Sequence, residues 1–244
     1  MERIIERTDD GSATLFVPKL NEHYHSTKGA RTESQHIFID MGLKASPAAT
    51  PRVLEIGFGT GLNAWLTLEE AERSRRNIHY IGLELYPLDW QTVEQLGYIS
   101  SDEQLTIHRK QTTTDEQFTP NEEKQQSAIE LFKQLHTSPW EKDVQLTPHF
   151  TLRKIETDVN KWRVENSPFN LVYFDAFAPE KQPEMWSQEL FNRLYVLLDR
   201  DGILTTYCAK GVVRRMLQTA GFTVERLPGP PGGKREILRA RKQE

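Results

Sequence analysis

The residues of this chain best suited to chemistry are carboxylates that close apolar runs. Asp175 ends Leu171-Val172-Tyr173-Phe174, Glu84 lies at the end of the stretch Ile78 to Leu85, and Asp158 follows Phe150 to Ile155. A carboxylate at a strand tip can accept hydrogen bonds from hydroxyl or amine groups, or take the proton of an ammonium. Ahead of them stands Glu55-Ile56-Gly57-Phe58-Gly59-Thr60-Gly61-Leu62-Asn63. Its glycines let the backbone bend tightly and approach a ligand closely. The helix that follows offers free N–H groups and a partial positive charge.

These residues need a scaffold that brings strand ends together. From Arg52 the pattern alternates strand and helix: Val53 to Gly57, helix Leu62 to Ala71, strand Ile78 to Leu85, helix Asp89 to Leu96. Strand, glycine turn, helix, strand is the signature of a parallel sheet. Further strands are expected at Phe150 to Ile155, Leu171 to Phe174 and Ile203 to Tyr207, with helices at Glu184 to Leu198 and Val212 to Ala220. Phe222 to Arg226 and Arg235 to Arg239 read as an antiparallel hairpin closing the sheet. The expected fold is α/β and Rossmann-like, with a mostly parallel sheet of about seven strands and helices on both faces. In such sheets ligands bind beyond the carboxyl ends of the strands, where the strand order reverses.

Residues 1–46 form a small N-terminal β extension, with Asp9-Asp10-Gly11-Ser12 as turn, Thr14 to Val17 as strand and a brief apolar run at Ile37-Phe38-Ile39. Residues 47–244 form the main domain, interrupted at 101–149 by a polar, partly helical insertion whose amphipathic stretch is Ala128 to Leu135.

The spacing of the turn narrows its ligand. A nicotinamide-type turn runs G-x-G-x-x-G around a pyrophosphate, whereas this one runs G-x-G-x-G after Glu55, the form that fits the adenosylmethionine class. A tight turn without ligand is the alternative. Glu84, about 20 residues further on, is placed to accept both ribose hydroxyls, and Asp158 to accept from an adenine amino group; a solvated strand-end carboxylate is the plainer reading of each. Asp175 can hold the cofactor's ammonium or orient a target amine, and Phe177 can flank a cation or stack on a base. A helix N-cap followed by a core Phe is the alternative there.

Bulk properties set limits. The chain has 244 residues, 37% hydrophobic and 27% charged, an ordinary globular balance. The formal net charge of −4 argues against a general nucleic-acid binder, yet the segment from Lys210 onward is rich in Lys and Arg. The single cysteine, Cys208, excludes an internal disulfide and a clustered-thiolate zinc site, and no metal is expected. With no long apolar run and no signal-peptide core, the expected setting is cytoplasmic, without membrane association.

One longer string is more specific than any glycine turn. Phe174-Asp175-Ala176-Phe177-Ala178-Pro179-Glu180-Lys181-Gln182-Pro183-Glu184-Met185-Trp186, with the turn Gly57 to Asn63, Glu84 with Pro87-Leu88, Gly211-Val212-Val213-Arg214-Arg215, Ala220-Gly221-Phe222 and Gly232-Gly233-Lys234-Arg235-Glu236, resembles the methyltransferase domain of the MnmC family. The resemblance covers essentially the whole chain. Bifunctional members fuse this domain to a flavin-dependent oxidase; with no second dinucleotide motif, the chain resembles the stand-alone form.

The resemblance implies a class I methyltransferase that uses S-adenosyl-L-methionine to convert 5-aminomethyl-2-thiouridine to 5-methylaminomethyl-2-thiouridine at the tRNA wobble position. A separate oxidase or pathway would supply the aminomethyl intermediate. It implies a cofactor site of Glu55, Gly57, Phe58, Gly59, Thr60, Gly61, Asn63, Glu84, Leu85, Asp158, Val159 and Asp175, with Asp175 also catalytic. Tyr24, Phe177, Lys181, Lys210, Arg214, Arg215, Lys234 and Arg235 would face the tRNA. Tyr24-His25-Ser26 with Gly29-Ala30 and Glu33-Ser34 resembles an N-terminal flap, departing where His25 replaces an aromatic residue. Aminopropyl or methyl transfer to a small amine, and a non-catalytic RNA-binding module, are the competing readings. The basic C-terminal third disfavours a cationic small substrate, and the intact carboxylates and glycines disfavour a decayed site.

Overall fold

The structure is a computed structural model that describes residues 2–9, 11–100, 102–108, 123–163 and 168–243. The N-terminal strands β1 (Ile4–Arg7), β2 (Ala13–Val17) and β3 (Glu22–His23) form a small antiparallel sheet of their own. The connection between β1 and β2 is closed by the Thr8 N–H on the Ser12 carbonyl at 2.9 Å; Asp10 of the expected turn lies outside the described residues. After α1 (Ala30–Ser34) the run Ile37-Phe38-Ile39 is buried in a wide helical turn, Gln35–Asp40.

The main sheet is assembled from β4 (Arg52–Ile56), β5 (Ile78–Glu84), β8 (Asp143–Thr147), β9 (Phe150–Glu156), β10 (Phe169–Phe174), β11 (Leu198–Thr206), β12 (Thr223–Pro228) and β13 (Glu236–Arg241). Its order is β12-β13-β11-β10-β4-β5-β9-β8, so it has eight strands where about seven were expected. Neighbours from β11 through β9 are parallel, while β12, β13 and β8 pair antiparallel at the edges.

The additional strand comes from the segment read as an insertion. Of that segment, residue 101 and residues 109–122 lie outside the described residues. The rest gives a hairpin, β6 (Gln104–His108) with β7 (Glu123–Ser127), then α4 (Ala128–Thr137), then β8. The polar residues of β8 alternate toward solvent, as an edge strand permits, and this polarity hid it among loop residues. The expected amphipathic stretch is α4, which packs Phe132 edge-on against Trp65 at 5.7 Å.

Helices cover both faces. On one side lie α2 (Leu62–Ser74), α3 (Trp90–Glu94) and α4, around Trp65, Phe132 and Tyr80; on the other lie α5 (Gln188–Leu197) and α6 (Gly211–Thr219), around Phe174, Trp186 and Phe191. Alternation along β4 sends Leu54 and Ile56 to the α5 side and Val53 to the α2 side. Glu55 therefore points toward α2, as does Tyr173, its register partner on β10. Sequential strands run away from β4 in one direction and from β10 in the other, which makes the β4/β10 junction the reversal point. No helix among the described residues is long and apolar enough to cross a membrane.

Candidate active site

The carboxyl ends of β4 and β10 lie side by side, because Ile56 and Phe174 are register partners. The Asp175 N–H continues the ladder onto the Ile56 carbonyl at 3.1 Å, which delivers its side chain beside the glycine bend. Gly57 there has φ of 90°, and a Cβ would sit 2.8 Å from the Asp175 carbonyl oxygen. Only a residue without a side chain lets the two strand tips approach so closely.

Glu84 locks the bend from the opposite side. Its Oε2 accepts the Gly59 N–H at 2.8 Å and its Oε1 the Tyr86 N–H at 2.9 Å. Under the bend, Asn63 in the first turn of α2 donates to Glu55 Oε1 at 2.9 Å and to Asp175 Oδ2 at 2.8 Å. A further support comes from α4, whose His136 Nε2 donates to the Thr60 carbonyl at 3.1 Å and whose ring fills the space a side chain at Gly61 would need. Burial holds this imidazole down to about 3, so it stays neutral.

Above the bend is a cavity of about 500 Å³. Of the expected cofactor residues, Gly57, Phe58, Gly59, Thr60, Asn63, Glu84, Leu85, Asp158, Val159 and Asp175 line it. Glu55 and Gly61 are not in the lining: Glu55 is sealed under Asn63, and the open side of Gly61 is taken by His136. Asp158 also has a local duty, accepting the Asn160 N–H at 2.9 Å in the turn after β9.

Among the residues expected to face tRNA, Tyr24, Phe177, Lys210 and Lys234 line the cavity, while Lys181, Arg214, Arg215 and Arg235 lie outside it. Tyr24 meets Phe177 edge-on at 5.1 Å, so an N-terminal residue and the strand-tip loop share one wall. Phe177 is not a core residue, and no helix begins at Asp175. Lys210 pairs with Glu180. Lys234 donates to Glu33 at 2.6 Å with its ammonium 4.6 Å above the Tyr207 ring, and Glu33 also accepts the Ser26 N–H at 2.9 Å. One carboxylate thus ties the N-terminal segment to the β12–β13 loop.

The electrostatics follow from enclosure. Asp175 keeps some surface open to the cavity but is surrounded by protein, and this desolvation pushes it up to about 7 against the opposing hydrogen bond from Asn63. Burial pushes Glu55, which has no exposed surface, well above the usual carboxylate range. His25, 2.9 Å from the Thr60 hydroxyl, is held down to about 4 by desolvation and is neutral.

Sequence reasoning missed Arg3, Glu22, His23, Tyr86, Met185 and Tyr207 in the lining. Tyr207 follows the carboxyl end of β11 and could have been found by the strand-end rule that picked Asp175. Arg3, just before β1, and His23 of β3 arrive from the N-terminal β extension, which the sequence indicated without indicating that it reaches this cavity.

The donor and acceptor chemistry selects among ligands. Carboxylates at Glu84, Asp158 and Asp175 face the cavity, an acceptor set suited to hydroxyl, amino and ammonium groups and unsuited to a pyrophosphate. The glycine bend and these carboxylates fit S-adenosyl-L-methionine.

Comparison with known proteins agrees with this geometry. Residues 119–243 match the family model described as S-adenosyl-L-methionine-dependent methyltransferase. A bifunctional tRNA 5-methylaminomethyl-2-thiouridine biosynthesis protein MnmC from Cupriavidus metallidurans is 29% identical over 99% of this chain and 35% of its own length. Its counterpart from Magnetococcus marinus is 30% identical over 93% of this chain and 32% of its own. The chain therefore spans about a third of the length of these curated relatives. The crystal structure of MnmC2 from Aquifex aeolicus superposes with a TM-score of 0.70 at 24% identity, over 98% of this chain and 70% of that one, which shows the shared fold.

Proposed function

The chain belongs to the S-adenosyl-L-methionine-dependent methyltransferases, and from that premise we propose that it methylates the primary amine of 5-aminomethyl-2-thiouridine at the tRNA wobble position. The observation that carries this reading is Asp175, set at the reversal point of the sheet between the glycine bend and an aromatic wall of Tyr24 and Phe177. Similarity along almost the entire chain to the biosynthesis proteins of that nucleoside supports the same substrate.

The cofactor would be held by the bend at Gly57 and Gly59, by Glu84 on the ribose hydroxyls, and by Asp158 near the adenine amino group. When bound, it supplies an electrophilic methyl group on a sulfonium. The chain's own contribution is to present a neutral, oriented amine, since an alkylammonium has no lone pair to attack with. Asp175 accepts the proton: an ammonium N–H bond breaks, its electron pair stays on nitrogen, and the proton forms an O–H bond at the carboxylate. A carboxyl group that titrates near 7 is well matched to that exchange at neutral pH. Tyr24 and Phe177 provide ring faces and edges against which an extruded base can pack.

Purified chain, given S-adenosyl-L-methionine and tRNA carrying the aminomethyl nucleoside, should convert it to the methylaminomethyl form in nucleoside digests. Unchanged tRNA, or equal methylation of a free polyamine, would reject the assignment.

Arg214 and Arg215 on α6, with Lys181 and Arg235, would meet backbone phosphates outside the cavity. Reversing both charges, Arg214→Glu with Arg215→Glu, should weaken tRNA binding and lower the slope of log affinity against log salt by roughly one to two. Titrations at several salt concentrations read both effects, and an unaltered slope would remove this face from the interface.

A further inference from the structure

Asn63 spends both amide protons on two different carboxyl groups, Glu55 at 2.9 Å and Asp175 at 2.8 Å. Asp175 settles the amide's orientation, because Oδ1 turned toward its carboxylate would set lone pair against lone pair. Around this bridge Asn63 Oδ1 is buried without a hydrogen-bond partner, and the Tyr80 hydroxyl lies against Glu55 as a side-chain hydrogen-bond donor. Such a cluster under an active site calls for an explanation beyond packing.

Two carboxylates one hydrogen bond from the same nitrogen, shielded from water, repel each other strongly when both are ionised, so the site favours a single negative charge. Position decides which group carries it. Asp175 opens onto the cavity, where it is faced by Glu33 of α1, Lys234 of the β12–β13 loop and Tyr207 beyond β11. Glu55 has no exposed surface; it is faced by Asp175, by Tyr80 and Glu84 of β5 and by Tyr173 of β10.

We propose that Asn63 is a positioning residue that joins Glu55 and Asp175 into one hydrogen-bonded pair limited to a single negative charge, with Glu55 the standing acid and Asp175 the member that exchanges a proton with the amine. The inference rests on the reading of Asp175 as the amine's proton acceptor. Neutral Glu55 leaves the negative charge to Asp175, and the Asn63 N–H stabilises it there. Burial raises both carboxyls, Glu55 well above its ordinary value and Asp175 up to about 7, in the same sense.

The unit can be observed without substrate or cofactor, by carboxyl-¹³C NMR titration of the free protein, with signals assigned through Asp175→Asn and Glu55→Gln. In the unaltered protein Asp175 should titrate near neutrality while Glu55 stays protonated throughout that transition. Asn63→Leu, which keeps the branched skeleton and removes the donors, should raise the proton affinity of Asp175 roughly tenfold. Glu55→Gln should leave the Asp175 midpoint nearly in place, because an amide replaces a group that is already neutral. Ionisation of both carboxyls below about pH 6, or an unmoved Asp175 midpoint in Asn63→Leu, would overturn the proposal. The titration of the unaltered protein stands even if a variant does not fold. Should the substrate assignment fail instead, tRNA methylation would be absent with the titration intact.

Discussion

Replacing Asp175 with asparagine should reduce methyl transfer by about 10²- to 10⁴-fold, the range associated with losing a positioned general base. Asparagine has nearly the same shape and can still face Asn63 through its carbonyl, so the loss would report the missing basicity. The unaltered enzyme should show kcat/KM rising as pH increases through about 7, since the carboxylate is the active form and burial places its titration there. In Asp175→Asn that rise should disappear. Stability should move the opposite way. A carboxyl raised from its unfolded value contributes stability that is present below the unfolded value and lost as pH climbs through about 7. Asparagine never ionises, so the variant should gain on the order of 2–4 kcal/mol over the native protein at pH values above neutrality. Denaturant melts at acid and alkaline pH measure this. An active variant, or one less stable at alkaline pH, contradicts the assigned role.

The second large effect is expected at Glu84. Its two oxygens hold the Gly59 and Tyr86 N–H groups, so the carboxylate fixes the bend and still has lone pairs for ligand hydroxyls. Glu84→Ala removes the anchor and the acceptor together. One charge-assisted hydrogen bond contributes about 1.5–3 kcal/mol, so the cofactor dissociation constant should rise roughly 10- to 150-fold. Calorimetric titration with S-adenosyl-L-methionine provides the number. A dissociation constant within about twofold of the native protein's would mean that the ribose is held elsewhere.

Much of the fold was legible because its signals are local. The Gly57 to Asn63 turn, the apolar strands on either side and the helix from Leu62 carry their periodicity within a few residues. The C-terminal hairpin of β12 and β13 was readable for the same reason, and its antiparallel placement at the sheet edge matches the expectation. By contrast, β8 escaped notice because an edge strand needs no apolar face on its solvent side. The role of α4 escaped because an amphipathic helix shows that it packs, without showing against what.

Taken alone, the sequence determined the chemistry on offer: three strand-end carboxylates, a glycine bend spaced for an adenosylmethionine-type ligand, and a basic C-terminal third. These are statements about residue type and short spacing, which the chain carries wherever it folds. Only the tertiary structure decided which groups meet. It put Glu55 beneath the cavity and Asp175 inside it, spanned both with one asparagine, set His136 of α4 against Gly61, and drew Arg3 and His23 in from the N-terminal extension. The reason is that strand register and helix docking are long-range outcomes, fixed by the burial of both sheet faces at once, and proton affinities follow from that burial.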